Sequence, residues 1–222
     1  VATDLDGTLT RVLGNGFPLK ILWKKLLCEY PGIELKEMPE RIDEESFVAI
    51  ISALEKSGAT KDSVQRIACK FPLRQGMREF FRAISEVNGL LVILTVNPFG
   101  EDWVKCFFPE AMPNCRIVAT TPVWQDGVLT RFQNIVTPQT KKVLPDLPGV
   151  KEREVILIGD APKDIRMIDG LNNQGSPLIT AIGLCWQEER QAFTEAGFDT
   201  LLPIDSPMIS ITNFIRSRYL PR

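Results

Sequence analysis

Apolar positions along the chain fall into two kinds of run. Residues 90–96 (LLVILTV), 155–158 (VILI) and 178–184 (LITAIGL) are nearly continuous, and residues 1–5 (VATDL) and 116–120 (RIVAT) are weaker versions. Short runs without polar alternation fit strands covered on both faces. Between them the period changes. Met77, Phe80, Phe81, Ile84 and Val87 recur at helical spacing and stop at Asn88-Gly89, and residues 188–196 form another helical stretch closed by Gly197. Strands alternating with helices predict an α/β protein: a Rossmann-like three-layer sandwich around a mostly parallel sheet.

Residues 12–74 break the alternation. They carry three helical patterns in succession: Leu19, Leu22, Trp23, Leu26, Leu27 and Tyr30; then Phe47, Ile50, Ile51 and Leu54; then Val64, Ile67, Ala68 and Phe71. Each has the i, i+3, i+4, i+7 spacing of an amphipathic helix, and Pro31-Gly32, Pro39 and Ser57-Gly58 separate them. This is either a helical elaboration of the fold or an inserted cap over the strand ends. The second reading divides the chain into a core of residues 1–12 and 75–222 and a cap of residues 13–74. A hairpin is predicted where Val118-Ala119-Thr120 and Val128-Leu129-Thr130 flank Gln125-Asp126-Gly127.

The chain has 222 residues, room for one large domain or a core with a small insert. Hydrophobic residues make up 44% and charged residues 24%, which excludes the disordered and fibrous classes. A net charge of −2 argues against nucleic acid or an anionic membrane as the main partner. No apolar run approaches bilayer length, and no charged-then-apolar leader precedes a cleavage site. The five cysteines are scattered, odd in number and without a C-x-x-C, so free thiols in a reducing cytoplasm are expected. Histidine is absent. That removes Ser-His and Cys-His catalysis and leaves oxygen ligands for any metal, a donor set suited to a hard cation such as magnesium.

The chemistry concentrates at strand ends, where open α/β sheets bind their ligands. Asp4-Leu5-Asp6-Gly7-Thr8 leaves the first strand with two carboxylates and a glycine that permits a sharp turn. A specified D-x-D-G-T arises by chance roughly once in 10⁵ positions. Gly159-Asp160-Ala161-Pro162-Lys163-Asp164 follows the VILI run and sets two more carboxylates at a second strand end. An N-cap acid explains one of these, not acidic pairs at both strand ends. Carboxylates converging at one edge repel unless a cation sits among them. Thr95 closes LLVILT, and Lys141 and Lys142 lie in a predicted first helical turn; each alone has an ordinary structural explanation.

In order, D-x-D-G-T, strand-Thr, Lys and strand-G-D-x-x-x-D resemble the four motifs of the haloacid dehalogenase-like superfamily. The match is specific at the first and fourth motifs, loose at the second and third, and spans Asp4 to Asp164. The helical stretch looks like that family's C1-type cap. The hairpin followed by lysine is similar to the branch holding phosphoserine phosphatase and the pyrimidine 5′-nucleotidases. The resemblance implies a magnesium-dependent phosphatase acting on a small phosphomonoester through an aspartyl-phosphate. Asp4 would be the nucleophile and Asp6 the acid/base. Thr95 and Lys141 would balance the phosphoryl charge, with Lys142 as the fallback lysine. Asp4, the main-chain carbonyl of Asp6, and Asp160 would hold Mg2+, with Asp164 binding through water or holding Lys141. Thr8, Asn97 and Arg11 are expected at the substrate, and Arg11, Asn15 and Arg74 at the cap junctions could touch the leaving group. Asp6 favours phosphoryl transfer, since the dehalogenases lack an acid/base aspartate there. Thr95-Val96-Asn97 and D-L-D-G-T depart from the phosphoserine phosphatase pattern, so its substrate is not carried over. The first strand begins at Val1, where the family has a few residues more, so a trimmed start is expected. A phosphomutase, and a non-catalytic binding protein on this fold, are the alternatives; oligomeric state stays open.

Overall fold

The computed structural model describes residues 1–11, 18–35, 37, 43–107, 115–141, 148, 150, 153–171 and 178–220. Among these, the strands are β1 (Ala2–Thr3), β2 (Leu91–Leu94), β3 (Cys115–Val118), β4 (Thr121–Gln125), β5 (Val128–Gln133), β6 (Val155–Gly159), β7 (Ile179–Cys185) and β8 (Thr200–Pro203). The helices are α1 (Pro18–Glu29), α2 (Glu44–Glu55), α3 (Lys61–Ala68), α4 (Met77–Glu86), α5 (Gly100–Phe107), α6 (Arg190–Ala196) and α7 (Met208–Tyr219).

The uninterrupted apolar runs become the middle of one parallel sheet, ordered β3-β2-β1-β6-β7-β8. Successive strand residues face opposite sides, and the two sides bury different apolar clusters. Leu91, Ile93, Ile156 and Ile158 join Phe80, Ile84, Met208, Ile211 and Ile215 of α4 and α7. Val92, Leu94, Val155 and Leu157 join Met167, Ile168, Phe193 and Phe198 on the other side. Sheet between two helical layers is the three-layer α/β sandwich that the sequence pattern predicts.

Register places the strand ends that matter. Ala2 lies between Val92 and Leu157, and Thr3 between Ile93 and Ile158. The chain runs outward from β1 through β2 to β3, then returns to β6 and runs outward the other way. The order therefore reverses between β1 and β6, a switch point that opens a crevice beyond their carboxyl ends. The Asp4 N–H donates to Ile158 O at 3.3 Å, so the residues leaving both strands begin side by side.

The three helical patterns before residue 74 form α1, α2 and α3; the side chains of Leu19 and Leu22 lie outside the described residues. Asp43 caps α2 through the Ser46 N–H, and Thr60 caps α3 through the Ser63 N–H. Their inward residues, Trp23, Leu26, Phe47, Ile50, Val64 and Ile67, belong to the same apolar cluster as α4 and α7. The segment departs and returns at adjacent points: Thr10 bridges Leu73, Arg11 N–H donates to Pro72 O, and Arg74 N–H donates to Leu9 O.

Two expectations change. The hairpin arms are Thr121–Gln125 and Val128–Gln133, because residue 118 still belongs to the main sheet, so the first arm starts later than read. Asp126 and Gly127 turn it with φ of 49° and 78°, the conformation Asp-Gly favours in tight hairpins. The cysteines are not all free: Cys69 after α3 is bonded to Cys106 on α5, with Cα atoms 6.2 Å apart. Pairing is a matter of proximity in the fold, and sequence spacing carries no trace of it. Among the described residues no helix is long and apolar enough to cross a membrane.

Candidate active site

Beyond the ends of β1 and β6, carboxylate oxygens of Asp4, Asp160 and Asp164 all lie within 4.8 Å of one another. The backbone makes this convergence possible. Gly7 has φ +84°, and a Cβ there would sit 2.1 Å from an Asp160 carboxylate oxygen. A Cβ on Gly159 would lie 2.6 Å from the Asp164 Cβ. Asp164 folds back over its own turn, its Oδ2 accepting from the N–H groups of Asp160 at 3.2 Å and Ala161 at 3.0 Å. Thr8 Oγ1 donates to Asp160 Oδ1 at 2.6 Å.

Lys141 reaches into this cluster. Its Nζ is 2.8 Å from Asp4 Oδ1 and 3.0 Å from Asp164 Oδ1, and the residue is 8% exposed. Burial works against the ammonium, but the Asp164 and Asp4 carboxylates outweigh it and hold the pKa above the ordinary lysine range. Asp4 is raised by burial, against the pull of Lys141. Asp160 is pushed well above the ordinary carboxylate range, again mainly by burial, with Asp4 and Asp164 adding repulsion.

Asp6 points elsewhere. Its Oδ1 lies 3.4 Å from Asn97 Nδ2, and Thr95 also bonds its carboxyl. Burial and the Asp4 charge raise it to about 7. A second carboxyl thus sits two residues from Asp4, near neutrality in its titration and outside the three-carboxylate cluster. The Thr95–Asn97 loop is held by its own hydrogen bonds: Asn97 N–H donates to Thr95 Oγ1 at 3.1 Å, and Asn97 Oδ1 accepts from Phe99 N–H at 3.0 Å.

The structure therefore gathers Asp4, Asp6, Thr95, Asn97, Lys141, Asp160 and Asp164. Thr8 is fully buried with its hydroxyl on Asp160. Arg11 is exposed, its N–H bonded to Pro72 O. Lys142 and Asn15 lie outside the described residues. Arg74 differs most from expectation. It is 2% exposed and turned inward, its guanidinium donating to the carbonyls of Gly7, Thr8, Ile204 and Ser206. Sequence reading places Gly159 in the fourth motif without a role of its own; in the fold it leaves the room that the Asp164 side chain occupies.

The donor set fits a hard divalent cation. Three carboxylates converge, each is an oxygen ligand, and Lys141 alone leaves their charge under-compensated.

No protein-family model matches this sequence, and no curated protein matches it. Solved structures do. Cytosolic 5′-nucleotidase IIIB bound to cytidine superposes with a TM-score of 0.67 at 20% identity, over 98% of this chain and 85% of that one. A phospho-aspartyl intermediate analogue of phosphoserine phosphatase gives 0.66 at 14% identity, over 96% of each chain. A HAD family hydrolase from Salmonella enterica serovar Typhi gives 0.65 at 18% identity, over 95% of this chain and 69% of that one. At these identities the likeness is one of architecture, and it extends over nearly the whole of this chain. The chain has the fold of the haloacid dehalogenase-like phosphatases.

Proposed function

We propose that this protein is a magnesium-dependent phosphatase that hydrolyses a small phosphomonoester through an aspartyl-phosphate on Asp4. The observation that carries this reading is the placement of Asp4 beside Lys141 at 2.8 Å and against Asp160 and Asp164, with the Asp6 carboxyl raised to about 7 close by.

A carboxylate is a weak nucleophile that needs position and a neutralised target. Lys141, bonded to Asp4 and Asp164, fixes the Asp4 carboxylate and supplies positive charge where the phosphoryl oxygens would lie. Asp4 Oδ forms the bond to phosphorus as the bond to the leaving oxygen breaks. Asp6 donates its proton to that oxygen, and a pKa about 7 leaves it protonated in a useful fraction of molecules. In the second half, water attacks phosphorus, Asp6 takes its proton, and Asp4 is released with inorganic phosphate. The Thr95 hydroxyl and Asn97 amide steady Asp6 and border the space for the transferring group. Asp4 and Asp160 carboxylates and the Asp6 carbonyl would hold Mg2+, with Asp164 anchoring Lys141; the ion would lower the charge repulsion between phosphate and Asp4. Residues 13–74 would act as a cap whose closure excludes water and selects a small substrate. The cytoplasmic location expected from cysteine usage is set against the Cys69–Cys106 pair, since disulfides persist in oxidising compartments.

The test is phosphate release from a panel of small phosphomonoesters, with Mg2+ and with chelator. Wild type is expected to turn over only with Mg2+, and Asp4→Asn to lose at least about a hundredfold, since the nucleophile is gone. Turnover by Asp4→Asn at the wild-type rate would sink the mechanism.

A further inference from the structure

We propose that Arg74 is a positioning residue for this site, holding the Gly7–Thr8 backbone so that Thr8 and Asp160 meet in one fixed geometry. The inference rests on the phosphatase reading for its kinetic consequences and on the structure for its contacts.

Arg74 is 2% exposed, and among the described residues no carboxylate lies within ion-pair distance of its guanidinium. Its partners are main-chain carbonyls. Nε donates to Thr8 O at 2.7 Å and Nη2 to Gly7 O; Nη1 donates to Ile204 O and to Ser206 O at 3.0 Å. A buried cation is costly unless its donors are satisfied, and here the fork ties two chain segments together. One is the turn after β1 and the other is the link from β8 to α7.

That turn is where a small displacement matters. Leu9 and Thr10 N–H both donate to Leu5 O at 3.0 Å, which closes the turn on itself. The Gly7 and Thr8 carbonyls are held by Arg74, while the Thr8 hydroxyl is held by Asp160 at 2.6 Å. Gly7 is packed so tightly against Asp160 that no Cβ fits between them. Moving this peptide unit by a few tenths of an ångström therefore moves Asp160. The Arg74 charge also attracts Asp160. Its own N–H, bonded to Leu9 O at 3.0 Å, fixes it where the helical segment rejoins the sheet. Lysine keeps the charge but cannot reproduce a fork that serves four carbonyls.

The test uses Arg74→Lys, Thr8→Val and the double variant, each checked for a cooperative melt. Mg2+ binding is measured by calorimetry without substrate, and kcat and KM are measured on the best phosphomonoester. Arg74→Lys is expected to weaken Mg2+ binding and lower kcat about tenfold each, the scale seen when residues behind metal ligands are changed, with KM unchanged. The double variant is expected to be no worse than the poorer single one, because both act through the Thr8–Asp160 contact. Wild-type Mg2+ affinity and kcat in Arg74→Lys would overturn the proposal, as would losses that multiply in the double variant. If Arg74→Lys does not fold, Arg74→Gln replaces it; failure of both to fold assigns Arg74 to the fold alone and also overturns it. Absence of turnover in wild type would strike the phosphatase reading instead, and the Mg2+ titration would still judge Arg74.

Discussion

Buried carboxyls prefer to keep their protons, and at this site that has a consequence for stability. Asp4, Asp6 and Asp160 are all raised above the ordinary value of 3.8. Where a folded pKa lies above the unfolded one, the folded state binds more protons, so stability is highest at low pH and falls as pH rises through the folded value. For Asp6 the window runs from 3.8 to about 7. The metal-free protein is expected to lose stability across that interval relative to Asp6→Asn, whose amide does not titrate. Mg2+ is expected to raise the melting temperature, and by more above the window than below it, because the ion binds the ionised carboxylates. The check is the difference in melting temperature between wild type and Asp6→Asn against pH, with and without Mg2+. A difference that does not change with pH would show that Asp6 titrates normally in the fold.

Elements inherit from the sequence what their burial demands and little else. β2 and β6 are buried at every position, so their apolar runs stand out, and Thr95 after β2 and Asp160 and Asp164 after β6 could be assigned to strand ends. β8 (TLLP) is a half-exposed edge strand with two central leucines, too short a signal to register. α7 (MISITNFIRSRY) is rich in Ser, Thr and Asn, which favour helices weakly. Its inward residues, Met208, Ile211 and Ile215, nevertheless keep helical spacing and were there to be read. α5 begins directly after the Thr95–Asn97 loop, where the turn residues Asn97-Pro98 hide its start. The sequence pattern names the acids and the lysine of the site because their types and order are distinctive; it cannot show where Arg74 points. The Cys69–Cys106 bond belongs to the same class of fact. It joins α3 to α5 across 37 residues, and the chain-entropy estimate for such a loop is about 4 kcal/mol. Under denaturing, non-reducing conditions the protein is expected to titrate three thiols, Cys28, Cys115 and Cys185, of its five cysteines. Cys106→Ser is expected to melt several degrees lower. Five thiols titrated without reductant would show that the pair does not form.

At the scale of the molecule, the helical segment before residue 74 is not joined to the sheet by its chain crossings alone. Lys61 N–H donates to Gly127 O and Leu129 N–H to Ala59 O, both at 2.8 Å, so the α2–α3 connection lies along the β4–β5 hairpin like a further strand. Phe132 N–H donates to Glu55 Oε1 at 2.8 Å. Trp124 on the hairpin donates to Asp102 of α5 at 3.1 Å. Moving the segment about its junction at Thr10 and Leu73 therefore either breaks its bonds to the hairpin or carries the hairpin along and breaks the Trp124–Asp102 bond, and in both cases the Cys69–Cys106 pair keeps the end of α3 tied to α5. Separating segment from hairpin breaks two backbone bonds and the Glu55 contact together, against one Trp124–Asp102 bond for moving both, so the segment and hairpin are expected to move as one body. Gly127 tests this. Its φ is +78° and the space around it is open, so Gly127→Ala strains only the backbone of the turn, at about 1 kcal/mol or slightly more. In hydrogen exchange, the Leu129 and Lys61 amides are expected to lose protection together by roughly fivefold, the factor for that energy, while the buried amides of β6 stay unchanged. Faster exchange at Leu129 with Lys61 unaffected would mean that the two parts are independent. The helical segment would then be free to move without the hairpin.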